Sequence, residues 1–170
     1  GEDAPKMTGE CNPALPRGYS FDFLNAEVLH TAWVSEGELC LATGMTYHAL
    51  VLPNQTTMRP EVLADIARLV KDGLTIIGPK PTSSPSMQNW PECDRNVQML
   101  ANQMWSKGQW GKGQVYPAGT DLKSVLEKMN IKPDCYVDAS KPFAFIHRPL
   151  PDQEIYFVSN QSDQPQDLKP

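Results

Sequence analysis

A chain of 170 residues with 40% hydrophobic and 21% charged side chains is sized for one ordinary domain and can bury a core. Its net charge of −5, with 15 Lys and Arg scattered along the chain, leaves no basic patch for a phosphate backbone and excludes nucleic acid as the main partner. No apolar run reaches the roughly 18–20 residues that span a bilayer, which excludes a membrane partner of that kind, and the polar residues 1–10 lack the apolar centre of a signal peptide.

Residues 1–18 carry Pro5, Pro13 and Pro16 with Gly1, Gly9 and Gly18, a composition that reads as a linker or extended arm. The domain proper is expected over residues 19–161, with a polar, proline-punctuated tail at 162–170. Phe21, Leu24, Val28 and Leu29 fall at helical spacing and predict a helix over 21–30, capped by Ser20 or Asp22. Trp33-Val34 and residues 38–41 flank a Ser-Glu-Gly turn and predict a hairpin. Residues 47–52 form a short apolar run closed by Pro53, as in a strand buried on both faces.

The period then changes. Within Pro60–Asp72, Val62, Leu63, Ile66, Leu69 and Val70 share one face, with Pro60 suited to the first turn and Gly73 to the position just past the last. Residues 74–77 follow as a second buried strand, so a parallel strand–helix–strand unit with a right-handed crossover is expected. After a loop at 78–87, Val97, Leu100, Ala101, Met104 and Trp105 predict a helix over 94–105. A short strand is expected at 114–116, then a helix capped by Thr120 with Leu122, Val125, Leu126 and Met129 inward. Three more strands are expected at 135–137, 144–148 and 154–159, the last two as an antiparallel hairpin. Alternating β and α followed by hairpins indicates an α/β fold: a doubly wound, mainly parallel sheet with antiparallel hairpin additions.

Motifs that carry common chemistries do not occur. There is no GxGxxG or GxxxxGK[ST] phosphate loop, and no GxSxG or GxCxG between a strand and a helix. Cys11, Cys40, Cys93 and Cys135 lack zinc spacing; two disulfides would form in an oxidising compartment, and buried free thiols are the favoured reading. His30, His48 and His147 sit singly, with no second ligand at metal spacing. The loop 53–57 is the nearest approach to an anion cradle, and in that role the chain would be a free-standing flavodoxin-like module binding a flavin or another small molecule. Against it stand the loop's lack of glycine and the simpler role of Thr56 or Thr57 as a helix cap. No catalytic, cofactor or metal site is therefore assigned. Ligands of open α/β sheets meet the carboxyl ends of the strands, where Asn54, the loop 80–86, His147-Arg148 and Asn160-Gln161 fall.

Five segments carry a resemblance. FDFLNAEVL (21–29), GMTYHALVLPNQTTMRPEVL (44–63), LTIIGPKPTSSPSMQNWPECD (74–94), FIHRP (145–149) and EIYFVSNQ (154–161) run in order along the chain. They resemble the region after the catalytic barrel in bacterial α-L-rhamnosidase-like enzymes, the group around glycoside hydrolase family 106. That resemblance implies a large, secreted, periplasmic or extracellular parent with a (β/α)8 barrel and β-sandwich modules. The acid and base carboxylates, and calcium where present, would belong to that barrel, and no residue here matches those motifs. The matching domain would resemble a class I glutamine amidotransferase in fold but lacks its nucleophilic cysteine elbow. The implied role is a non-catalytic domain that packs on the barrel and the sandwich modules of the same chain, with carbohydrate as an expected contact. Asp22 and Asn25 of the DFLN motif, with His147, Arg148 and Asn160, are the residues expected to face the sugar cleft or the domain seam.

Overall fold

The structure, a computed structural model, describes residues 13–135 and 143–165. Cys11, most of the arm expected at 1–18, most of the strand expected at 135–137 and the end of the tail lie outside the described residues. Two compact units result: Phe23–Asp121, and Leu15–Asp22 together with the described residues from Leu122 onward.

The first unit opens with α1 (Ala26–Thr31), which starts later than the apolar spacing suggests. Its cap is Asn25, not Ser20 or Asp22: the Asn25 Oδ1 accepts the Val28 N–H at 2.9 Å and satisfies one of the orphan donors of the first turn. β1 (Trp33–Ser35) and β2 (Glu38–Cys40) pair antiparallel about Glu36-Gly37, both with positive φ, the two-residue turn whose twist suits a tight hairpin. The apolar run at 47–52 is not one strand. β3 (Thr46–Tyr47) joins β2 antiparallel, whereas β4 (Ala49–Val51) pairs parallel with β5 (Thr75–Gly78). The chain changes sheets at His48, whose Nδ1 lies 2.9 Å from Glu38 Oε1 and ties the switch to β2.

Between β4 and β5 runs α2 (Pro60–Asp72), with Pro60 in its first turn and the expected face buried: Leu63, Ile66, Leu69 and Val70 are at most 1% exposed. Gly73 ends it at φ +134, returning its N–H to the last turn. Neither Thr56 nor Thr57 caps α2. Arg59 occupies the cap position with no side-chain capping bond, and its guanidinium instead stands 3.4 Å from Glu61 Oε1. α3 (Glu92–Trp105) then leads to the hairpin of β6 (Gln109–Trp110) and β7 (Gly113–Pro117). The sheet order is β4-β5-β7-β6, with β4, β5 and β7 parallel. Among the described residues this order advances in one direction, and α2 and α3 pack on each other, so both crossovers share one side of the sheet.

The core lies between that side and its helices: α2 meets Leu74, Ile76, Val97, Ala101, Met104 and Val115. Fully burying each large apolar side chain contributes about 1.5–3 kcal/mol. Two indoles close its rim with their only donors, Trp110 to the Ala67 carbonyl at 3.1 Å and Trp105 to that of Gly78 at 3.2 Å.

The second unit contains α4 (Leu122–Lys128) and the hairpin of β8 (Phe143–Leu150) and β9 (Gln153–Asn160), paired antiparallel over eight residues as the spacing predicts. Thr120 does not cap α4; its hydroxyl donates to the Pro117 carbonyl at 2.7 Å in the preceding turn. Cys40, Cys93 and Cys135 are free and buried, as expected. Among the described residues no helix is long and apolar enough to cross a membrane.

Candidate functional site

The loops at the carboxyl ends of β4 and β5 bind each other. Thr82 N–H donates to the Thr56 carbonyl at 2.8 Å, and Met58 N–H to that of Ser83 at 3.0 Å. α3 holds the second loop from its other side: Asp94 Oδ1 accepts the Ser84 N–H at 2.7 Å, and the Gln98 amide donates to the Thr82 carbonyl at 2.9 Å. Of the amides near the loop 53–57, those of Gln55 and Met58 are spent on carbonyls of the protein itself.

The second unit brings more polar chemistry together. Its two chain segments meet where the Cys135 N–H donates to the Gly18 carbonyl at 3.0 Å and the Tyr19 hydroxyl to that of Ile131 at 3.2 Å. Ser20 Oγ donates to Asp134 Oδ2 at 3.0 Å and turns the other oxygen of that carboxylate toward β8. There His147 places Nδ1 2.6 Å from Asp134 Oδ1 and Nε2 2.5 Å from Glu154 Oε2. The Tyr156 ring, directly across the strand pair, stacks on the imidazole at 4.1 Å between centroids and 5° between planes. The Tyr156 hydroxyl donates to the Asp134 carbonyl at 3.1 Å.

A neutral imidazole carries one N–H, and a carboxylate only accepts, so both contacts are hydrogen bonds only for the imidazolium. The hydrogen bond to Glu154, against the opposing effect of burial and with further help from Asp134, raises the His147 pKa above its ordinary 6.5. Burial first, then the two carboxylates, pushes the Tyr156 phenol up; burial and Asp134 do the same to the Cys135 thiol. With both nitrogens engaged, His147 is a tether rather than a free base. The two carboxylates sit at opposite ends of the ring and do not converge on a point, and no metal-holding group of three occurs among the described residues.

The five expected site residues separate. Asp22 ends the Leu15–Asp22 segment of the second unit, whereas Asn25 belongs to the first unit and caps α1. His147 and Arg148, neighbours on a strand, point to opposite faces of the hairpin. Asn160, paired with Phe143, shares the His147 face and shapes the turn after β9: its amide donates to the Gln164 carbonyl at 2.8 Å and its oxygen accepts the Ser162 N–H at 2.9 Å. On that face Arg17, Gly18, Phe143 and Phe145 line a shallow recess. Asp134, Glu154, Tyr156 and Ser20 were not foreseen. Tyr156 and Glu154 were within reach, because a two-residue turn at Pro151-Asp152 fixes Tyr156 opposite His147 and puts Glu154 on the same face; Asp134 had no such local signal.

The likenesses to known proteins cover nearly the whole chain. A curated protein of Formosa agariphila named "Putative beta-glucuronidase" is 33% identical over 177 aligned residues, covering 98% of this chain and 15% of that protein. The solved structure of the rhamnosidase from Novosphingobium sp. PP1Y superposes with a TM-score of 0.76 at 29% identity, covering 86% of this chain and 15% of that one. The chain thus spans about 15% of the length of either relative. The family model described as alpha-L-rhamnosidase, glycoside hydrolase 106, matches residues 1–170, and the chain belongs to that family.

Proposed function

We propose that these residues form a non-catalytic accessory domain of a secreted, carbohydrate-degrading, α-L-rhamnosidase-like enzyme. The domain packs against the catalytic barrel and β-sandwich modules of the same polypeptide and walls one side of the sugar cleft. The observation that carries this reading is the outer face of the β8–β9 hairpin. Ile146, Leu150, Ile155 and Phe157 stand there 54%, 45%, 46% and 66% exposed, with Ile146 and Phe157 directly paired across the strands. A two-stranded hairpin needs a covered apolar face for stability, and contiguous exposed apolar surface marks an interaction site. Both relatives are proteins in which about 85% of the length lies outside the matched region, enough to supply the cover.

For the sugar, the inner recess offers the rings of Phe143 and Phe145, tilted 39° to each other with centroids 6.5 Å apart, to the apolar face of a pyranose, and Arg17 as a donor to its hydroxyls. Arg148 lies on the outer face, where it suits the seam. Calorimetry of the 170-residue chain with rhamnosides separates the two roles. Micromolar binding lost in Phe145→Ala and retained in Arg148→Ala supports the wall; no heat at millimolar sugar leaves the seam alone. Turnover of an aryl rhamnoside by this chain without further domains would overturn the non-catalytic reading.

A further inference from the structure

The cluster around His147 joins parts of the second unit that sequence keeps apart. Asp134 comes from the 131–135 segment, His147 from β8, and Glu154 and Tyr156 from β9. Two of its bonds, His147 to Asp134 and the Tyr156 hydroxyl to the Asp134 carbonyl, tie the hairpin to that segment. The segment is itself anchored by Gly18, Tyr19 and Ser20. Among the described residues, these bonds and the recess that Phe143 and Phe145 line with Arg17 and Gly18 join the hairpin to the 131–135 and 17–20 segments.

Other groups facing the imidazole do not replace its proton. Tyr156 covers the ring face with its hydroxyl already committed to a carbonyl, and Ser20 donates to the far oxygen of Asp134. Cys135 adjoins Tyr156, and Arg148 lies on the opposite face of β8. When His147 is neutral, one of its nitrogens presents a lone pair to a carboxylate, and that contact becomes repulsive.

We propose that the β8–β9 hairpin is held to the 131–135 segment by a proton-operated latch, His147 clamped between Asp134 and Glu154, which is closed when the imidazole is protonated and loosens when it is neutral. The sign follows from linkage. His147 titrates above 6.5 when folded and at its ordinary value when unfolded. Its stabilisation is therefore complete below pH 6.5 and is lost as pH rises through the folded pKa.

Amide hydrogen exchange of the 170-residue chain, corrected for intrinsic rates, tests this between about pH 5.5 and about pH 8.5. Protection of β8 and β9 amides should fall about tenfold across the His147 titration, while β4, β5 and β7 stay level. In Glu154→Gln the side-chain amide can donate to a neutral Nε2, so the hairpin should keep its protection at high pH. Imidazole nitrogen shifts of the unmodified chain supply a second readout: the loss of protection should share the midpoint of His147. Level protection of the hairpin, a midpoint different from that of His147, or an unchanged pH response in Glu154→Gln overturns the latch.

Discussion

The guanidinium of Arg68, on α2, donates to the Ala32 carbonyl at 2.9 Å and the His30 carbonyl at 3.2 Å, and stands 3.5 Å from Asp65 Oδ1. His30 in turn places Nδ1 2.9 Å from Asp65 Oδ2. A six-residue helix has too few internal bonds to persist by itself, so α1 depends on these partners for its last carbonyls and on Asn25 for its first amides. Arg68→Met keeps the aliphatic stem and removes the donors; it should cost about 1–2 kcal/mol in urea unfolding. Asn25→Ala should cost about 1 kcal/mol by the same measurement, and Asn25→Asp should retain most of it. Asn25 could be seen in the sequence as a polar residue near a helix start, and the pattern misplaced its role by reading Phe21 and Leu24 as helical. The role of Arg68, its local pairing with Asp65 aside, could not, because its carbonyl partners lie more than 30 residues away and only the packing of α1 on α2 selects them.

Elements differ in how far local pattern determines them. The β4–α2–β5 crossover was legible because α2 shows one apolar face between a proline and a glycine, and Leu63, on that face, is completely buried. Truncation at Leu63 to Ala should therefore cost about 2–5 kcal/mol, read as a shift of the urea midpoint with unchanged slope. The break between β3 and β4 was not legible, since only a single histidine, His48, interrupts the apolar run there and the choice of partner is made by β2 and β5. Gly18 is the corresponding tertiary constraint in the second unit. Its φ is +87, and a Cβ there would fall 2.5 Å from the Cys135 carbonyl oxygen. Reading residues 1–18 as an arm hid this, because a glycine beside prolines looks like flexible spacer until Cys135 is found against it. Gly18→Ala should cost at least about 1 kcal/mol for the left-handed backbone alone, and more for the collision. Hydrogen exchange should show the loss in β8, β9 and the Cys135 amide, while the β4-β5-β7 amides keep their protection.

At the scale of the molecule, the distribution of apolar surface is what separates the two units. The first encloses Leu63, Leu69, Ile76, Val97 and Met104 between sheet and helices while leaving Trp33, Met87, Trp90 and Met99 exposed on β1, the loop before α3 and α3 itself, and its strand-end loops are held by their own hydrogen bonds. The second gathers polar groups on the His147 face of its hairpin and leaves Ile146, Leu150, Ile155 and Phe157 exposed on the opposite face. Strand alternation inverted in this way is expected when the outward face belongs to an interface that a neighbouring domain completes. Side chains that touch little in this chain contribute little to its folding, so Ile146→Ser with Phe157→Ser should leave the urea midpoint within about 0.5 kcal/mol of the parent. The same pair of changes should reduce the binding of a fluorescent apolar dye and any self-association of the chain at high concentration. In a polypeptide that also carries the neighbouring domains, the cost should instead appear as weakened interdomain protection along β8 and β9. A large loss of stability in the 170-residue chain itself would mean that the face is already covered from within, and that the seam lies elsewhere.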